Sequence, residues 1–225
     1  MIHETPQQRR QENNRERILS AAVKVVGEDG LEGLSIKKVA RLANYTPGAL
    51  YRYYASKDAL LAALTVQAVS ELAGIMMKAS QSPGLQSITA QAHAYLRYSR
   101  ERPAMYSLLA AMSGSPRILV ADEASARAVG DAMVGALLPL AGAFGRCVNH
   151  GLLKDGDSKE RAVLFWAAIQ GTLQLRKQER IAPDFFNADR LSRRMVVTLL
   201  CGWGAAEADI KSAIESSFDA QGGES

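Results

Sequence analysis

The chain is poor in the residues that cross-linked or catalytic proteins depend on. It has two cysteines in 225 residues, Cys147 and Cys201, far apart in sequence. That suits reduced, buried thiols better than a disulfide framework or metal site. Its three histidines, His3, His93 and His150, have no metal-ligand spacing. There is no Gly-x-Ser-x-Gly, His-Glu-x-x-His or Gly-x-Gly-x-x-Gly run, and Gly27, Gly30 and Gly33 read as a helix end and loop. Asp155 and Asp157 make a poor calcium loop and a good turn and cap. No catalytic residue, metal or cofactor is therefore expected. Long apolar runs are also missing. The most apolar later stretch, Ala132 to Phe144, is broken by Gly135, Pro139 and Gly142 and is too short to span a bilayer. The first residues are polar, without a secretory leader. The expectation is a cytoplasmic protein with no membrane partner.

What remains is an aliphatic, mildly basic chain: 48% apolar, only 6% aromatic, with a formal charge of +4. It is long enough to bury a substantial core in one large or two modest domains. Residues 1–60 hold ten basic and seven acidic side chains, against seventeen and sixteen in the remainder, so most of the excess lies near the N-terminus.

The densest local signals run from Ser35 to Lys57. Ile36, Val39, Ala40 and Ala43 recur at helical spacing behind Ser35, whose hydroxyl suits an N-cap. Asn44 tolerates the left-handed conformation that a sharp turn needs. Thr46 then caps a second helix with Pro47 at its first position, and Tyr45 is placed to staple onto Leu50. This second helix is expected over Pro47 to Tyr54. Ser56 caps a third that continues through Leu60, Leu61 and Leu64. The arrangement is a helix-turn-helix with a long helix behind it.

Its charges point to phosphate. Lys37 and Lys38 lie in the first turn of one helix and Lys57 in the first turn of another, where the helix dipole disfavours each cation by roughly 0.3 to 1 kcal/mol. An external polyanion reverses that penalty, since lysines and free backbone N–H groups at the same ends can both contact phosphate. Gly48 and Ala49 leave the start of the second helix almost bare, so its backbone can approach a groove wall, while Tyr51, Arg52 and Tyr53 supply reach. Leu50 and Tyr54 are expected to face the core. The candidate DNA contacts are Ser35, Lys37, Lys38, Thr46, Pro47, Gly48, Ala49, Tyr51, Arg52, Tyr53 and Lys57. Tyr51 and Lys57 are assigned to phosphate and Tyr53 to the groove, with Arg52 open to either a guanine edge or phosphate. Arg9, Arg10, Arg15 and Arg17 extend the basic character into an N-terminal arm expected to start disordered. The arm can track a phosphate backbone or minor groove, although a solvated tail explains Arg9 and Arg10 equally well.

Arg17-Ile18-Leu19, Ala21-Ala22, Gly27 to Gly30, Leu34-Ser35, Val39-Ala40, Leu50-Tyr51, Tyr53-Tyr54, Ser56-Lys57 and Leu60 together resemble the N-terminal domain of TetR-family transcriptional regulators. Two positions depart from the pattern: Asn44 stands where the family has a turn glycine, and Tyr54 where it has phenylalanine. The resemblance covers about a quarter of the chain. It implies three N-terminal helices that bind DNA and a larger helical domain that binds a small molecule and dimerises. Repression rather than activation is likewise implied by resemblance alone.

The rest of the chain reads as helix after helix, without strand-like alternation or repeats, so the expected fold is all-α. The expected division is a DNA-binding domain with its arm over 1–57 and a ligand-binding and dimerisation domain over 58–225. Helices are expected from Ser56 to about Ser80, around Leu85 to Leu96, and from Pro103. An interruption at Ser113-Gly114-Ser115-Pro116 precedes another from about Asp122 to Asn149, with a kink expected at Pro139. Asp157 to Glu160 opens a helix to about Glu179, followed by helices over Asp189 to Leu200 and Ala205 to Ser217. The helix from Ser158 is apolar on two sides. Ala162, Phe165, Trp166, Ile169 and Leu173 form one stripe, and Val163, Ala167, Ala168, Gly171 and Leu175 a second. Its own core can cover one side. A second subunit is the economical cover for the other, so a homodimer is expected through the helices around 158–179 and 189–200.

A small-molecule effector is expected from thinner signals: His93, Met105, Tyr106, Met112, Trp166 and Gln170 are polarizable or hydrogen-bonding groups within aliphatic helices, as a pocket needs and as an ordinary core also tolerates. Scarce charge there favours a largely apolar ligand. The leading expectation is a dimeric repressor that binds a double-stranded operator and is released by such a ligand. The alternatives are a DNA-binding regulator controlled by a protein partner or needing no inducer, and, remotely, an enzyme with a helical substrate pocket.

Overall fold

A computed structural model of the chain describes residues 5–114 and 123–218. Every regular element among them is helical. In chain order these are α1 (Pro6–Asp29), α2 (Ile36–Ala43), α3 (Pro47–Tyr51), α4 (Lys57–Ala79), α5 (Gln86–Glu101), α6 (Pro103–Gly114), α7 (Glu123–Asn149), α8 (Ser158–Gln174), α9 (Ala188–Gly202) and α10 (Glu207–Phe218). The chain is all-α, with a three-helix N-terminal segment ahead of a larger helical region.

Two compact units divide the chain. The first comprises residues 1–69 and 102–132, the second residues 70–101 and 133–225. The first half of α4 therefore belongs with the N-terminal helices, together with α6. In this unit α1 packs on α2 and α6, and α2 on α3. Ile18, Ala22, Val39, Ala40, Leu50, Leu60 and Leu64 are sealed from solvent and form its core. In the second unit α5 packs on α10 and α9, and α8 on α9. Its centre is aromatic: Phe144 meets Phe165 and Trp203 edge-on at centroid separations of 5.6 and 5.2 Å, a geometry that aromatic quadrupoles favour.

Local signals account for most boundaries. The α1 helix ends at Gly30, whose φ of 69° permits its N–H to reach Val26 O. Asp157 caps α8 by accepting from Lys159 N and Glu160 N at 2.7 and 3.1 Å. These two backbone donors hold its carboxyl below the usual aspartate range.

Several expectations are corrected. The N-terminal arm is helical from Pro6, because Thr5 and Gln8 form a reciprocal capping box and Pro6 fills the first helical position. The second helix of the motif ends at Tyr51 rather than Tyr54. The helix from Ser158 ends at Gln174 and tightens into a 3-10 segment, Leu175–Arg180, instead of continuing to Glu179. Of the two cysteines expected to be buried, Cys147 is and Cys201 is exposed, and α7 runs on both sides of Pro139. The apolar stretch at 132–144 belongs to this longer helix, and both α4 and α7 are long and apolar enough to cross a bilayer by length and composition. Half of the most apolar window of α4 is buried in the protein, as in a core helix, whereas α7 leaves Val134 and Leu138 on the surface. The expected break at 115–116 falls outside the described residues.

Candidate nucleic-acid interface

The turn between α2 and α3 is built as its sequence requires. Ser35 Oγ accepts from Lys38 N at 3.3 Å and starts α2. Asn44 adopts φ 60°, ψ 44°, the left-handed conformation, and terminates the helix. Thr46 Oγ1 accepts from Ala49 N at 3.2 Å, with Pro47 at the first position of α3. Ser56 Oγ accepts from Ala59 N at 3.0 Å and opens α4. Each cap contributes about 1 kcal/mol. Beneath the turn, Val39 and Leu50 are fully buried, and Tyr54 joins the core as expected. Burial and, secondarily, Glu12 push the phenol of Tyr54 up, while Arg15 opposes them.

The opposite face is polar and open. Lys37, Lys38, Thr46, Pro47, Gly48, Tyr51, Arg52 and Lys57 are exposed, and Ser35, Ala49 and Tyr53 half-buried. Tyr51 is 51% exposed although it closes a helix. A Cβ added at Gly48 would meet no atom within 4 Å, so nothing in the fold itself requires that residue to be bare. Lys38 is partly engaged: its Nζ lies 3.3 Å from Asp29 Oδ2 in a pair nearly half exposed on both sides. Such pairs are worth little and exchange readily for phosphate.

Two residues omitted from the candidate contacts organise this face. Asn14 on α1 donates to the Tyr53 hydroxyl at 3.0 Å. Arg17 donates to Ala43 O at 3.4 Å and lies over the Tyr45 ring, 5.7 Å from its centroid. The Tyr45 ring in turn meets Tyr53 edge-on at 5.9 Å. Tyr45 is thus part of a layer with Arg17 and Tyr53. Tyr53 follows α3 with its hydroxyl bound to α1 and its ring against Tyr45. Sequence spacing carried no sign of the Asn14 link, which joins positions 39 residues apart.

The candidate ligand residues are shared between the two units. Met105 is sealed in the first unit, Tyr106 is half-buried there, and the side chain of Met112 lies outside the described residues. In the second unit Gln170 Oε1 accepts from the Tyr95 hydroxyl at 2.6 Å, while Trp166 is half-buried. His93 Nδ1 donates to Ser217 O at 2.6 Å. Burial above all, with Arg97, Arg193 and Arg100 nearby, holds its imidazole below the usual histidine range against the raising effect of that hydrogen bond.

The chain matches two family models. One, described as bacterial regulatory proteins of the tetR family, matches residues 18–64. The other, described as a tetracyclin repressor-like C-terminal domain, matches residues 88–199. The HTH-type transcriptional regulator YobS of Bacillus subtilis is 27% identical over 90 residues, which cover 40% of this chain and 47% of YobS. The chain thus spans about half the length of that relative, and less of others. Among solved structures, SmeT, the repressor of the Stenotrophomonas maltophilia multidrug efflux pump SmeDEF, superposes with a TM-score of 0.63 at 22% identity over 84% of this chain and 89% of SmeT. FadR from Bacillus subtilis, in complex with stearoyl-CoA, gives 0.64 at 18% identity over 83% and 98%. Such identities establish a shared fold. With a helix-turn-helix of this geometry and matches to both halves of the architecture over more than two thirds of its length, the chain belongs to the TetR family of transcriptional regulators.

Proposed function

We propose that this protein is a cytoplasmic, homodimeric repressor that reads an operator through α3 and leaves it when a small, largely apolar ligand binds. The observation that carries the reading is the open face of the helix-turn-helix, where the bare Gly48 and the exposed Tyr51, Arg52 and Lys57 stand on one polar surface above a sealed core. Lys37, Tyr51 and Lys57 position the phosphate backbone, and the segment from Pro47 to Tyr53 reads bases. Within that segment Arg52 contacts a base edge or the adjacent phosphate, and Asn14 keeps Tyr53 at a fixed height.

The dimer is supported by α8. Ala162, Phe165, Ile169 and Leu173 fill the protein's own core, while Val163, Leu164, Ala167 and Gly171 remain exposed. On α9, Val196 and Leu200 are buried and Leu191, Met195 and Leu199 half-buried. A second copy laid against α8 and α9 covers this surface and supplies the second reading head for a half-site roughly 34 to 36 Å away or a multiple of that. Ligand control acts by stabilising one of two arrangements reached through α4, and its strength is limited to the ligand's differential affinity for them. The bound stearoyl-CoA of FadR supports a ligand response in a chain of this fold.

The test is selection of bound sequences from a random DNA pool, followed by titration of the winner at several salt concentrations. The expected result is a palindromic site, lost on Arg52→Ala and weakened across all sequences on Lys57→Ala. No enriched site would sink the reading.

A further inference from the structure

A cleft of about 530 Å³ lies within the second unit, between the end of α4, one face of α5 and the last turn of α10. Its α5 wall is a single helical stripe, Ala90, His93, Ala94 and Arg97, and Ile75 and Lys78 face it from α4. The lining is amphipathic in an orderly way. Ile75, Ala90 and Ala94 supply alkyl surface, Lys78 and Arg97 supply two fixed cations, and neither aspartate nor glutamate lines it. Arg97 Nε lies 3.6 Å from Glu101 Oε1, with the two side chains 40% and 61% exposed. A pair that long and that wet holds a guanidinium weakly. An incoming carboxylate bound bidentately offers Arg97 a better partner.

His93 reports the same field. Because Ser217 O can only accept, Nδ1 carries the ring proton, which makes Nε2 the acceptor in the neutral ring and a donor in the charged one. The charged form is opposed by Arg97 and Arg100 on α5 and Arg193 on α9. Burial is the larger cause of the lowered His93 pKa, and Arg97, the one of these arginines that lines the cleft, adds to it; the same cation favours a negative charge there.

We propose that this cleft binds a small monoanion with a short apolar body, a medium-chain carboxylate, its head at Lys78 and Arg97 and its chain over Ile75, Ala90 and Ala94. The lining suggests the class: it holds two cations and no acid, alkyl surface from Ile75, Ala79, Ala90 and Ala94, and the polar groups of Ser82, Gln86, Ser216 and Ser217. For any effect on DNA this rests on the ligand response proposed above, to which it adds the chemistry of the effector; binding itself does not depend on that response.

The experiment is calorimetric titration of the full-length protein with octanoate and, as the uncharged control, octan-1-ol. Octanoate is expected to bind and octan-1-ol to bind at least about tenfold more weakly, since a charge-assisted contact is lost. Lys78→Gln and Arg97→Gln should each weaken octanoate about tenfold and leave octan-1-ol unchanged. Their thermal unfolding should match the parent, because Lys78 is exposed and Arg97 reaches solvent. Failure of octanoate to bind, equal binding of the alcohol, or indifference to both substitutions would overturn the proposal. The operator titration is then repeated with octanoate present. Reduced operator affinity ties the cleft to regulation; unchanged affinity in a protein that binds octanoate leaves the cleft standing and removes its regulatory role.

Discussion

The helix-turn-helix and the α8–α9 pair each leave one side of a small helical assembly in solvent, and they leave opposite kinds of side chain there. Around α3 the open face carries Lys37, Tyr51, Arg52 and Lys57 beside a glycine that the fold does not need bare. On α8 it carries Val163 and Leu164, 47% and 48% exposed, beside Ala167 and Gly171. The first surface is costly to a lone protein in electrostatics, since cations sit at helix starts. The second is costly in hydration, since apolar side chains sit in water. In the proposed assembly each cost is relieved by a different partner, a polyanion in one case and a second apolar surface in the other.

The sharpest way to break this comparison is to place charge on the apolar surface. Val163→Asp with Leu164→Asp is expected to convert the dimer to a monomer in sedimentation experiments. Operator affinity should fall by roughly 10²- to 10⁴-fold as the second half-site contact becomes bimolecular. A dimer that persists would move the interface elsewhere, and Val134 and Leu138 on α7 would be the next apolar surface to test. Inside the head, Leu50→Ala removes a fully buried side chain and should cost about 2–5 kcal/mol in denaturant unfolding. Its effect on DNA binding should follow stability.

Gly48→Ala separates the two properties. The added methyl meets nothing in the protein and improves helix propensity by up to about 1 kcal/mol, so stability should hold or rise. Operator affinity should nevertheless drop, and unchanged affinity would show that the groove wall does not approach α3 at this position. Lys57→Ala should have a smaller and sequence-independent effect, lowering the slope of log affinity against log salt by about 1.

The smallest effect expected is of pH on the second unit. The folded-state pKa of His93 lies below its ordinary value, so the unfolded chain binds a proton more readily. Its contribution to stability is present above about pH 6.5 and is lost as pH falls through the folded pKa. Asp157, also held low, contributes above the ordinary aspartate range and loses its contribution at more acidic pH still. Thermal unfolding between neutral pH and pH 5.5 should therefore be less pH-dependent in His93→Gln than in the parent, and an identical dependence would remove His93 as the cause.

Much of the interface was legible because its signals are local. The Ser35, Thr46, Ser56 and Asp157 caps and the Asn44 turn each use atoms within a few residues in sequence, and all are present. The capping box at Thr5 and Gln8 is equally local, and it starts a helix in an arm whose sequence was expected to start disordered. The end of α3 was not legible. Residues 52–54 keep helical spacing and their N–H groups still reach Ala49 O and Leu50 O, but the regular helix stops at Tyr51, with the Tyr53 hydroxyl bound by Asn14 and its ring against Tyr45. The ligand candidates fared similarly. Residue type marked Gln170 and His93 as polar groups among aliphatic ones, and only the fold placed Tyr95 against the first and Ser217 against the second.

By itself the sequence determined the helices, their caps, the turn at Asn44 and the polar face above Leu50, since these depend on periodicity and on hydrogen bonds spanning three or four residues. The tertiary structure decided which stripe of α8 is buried, where α3 stops, and that Lys78, His93 and Arg97 line one cleft. Those outcomes depend on contacts between residues distant in the chain. Such contacts form only when packing of the whole unit repays the entropy of bringing the segments together, and no local pattern records them.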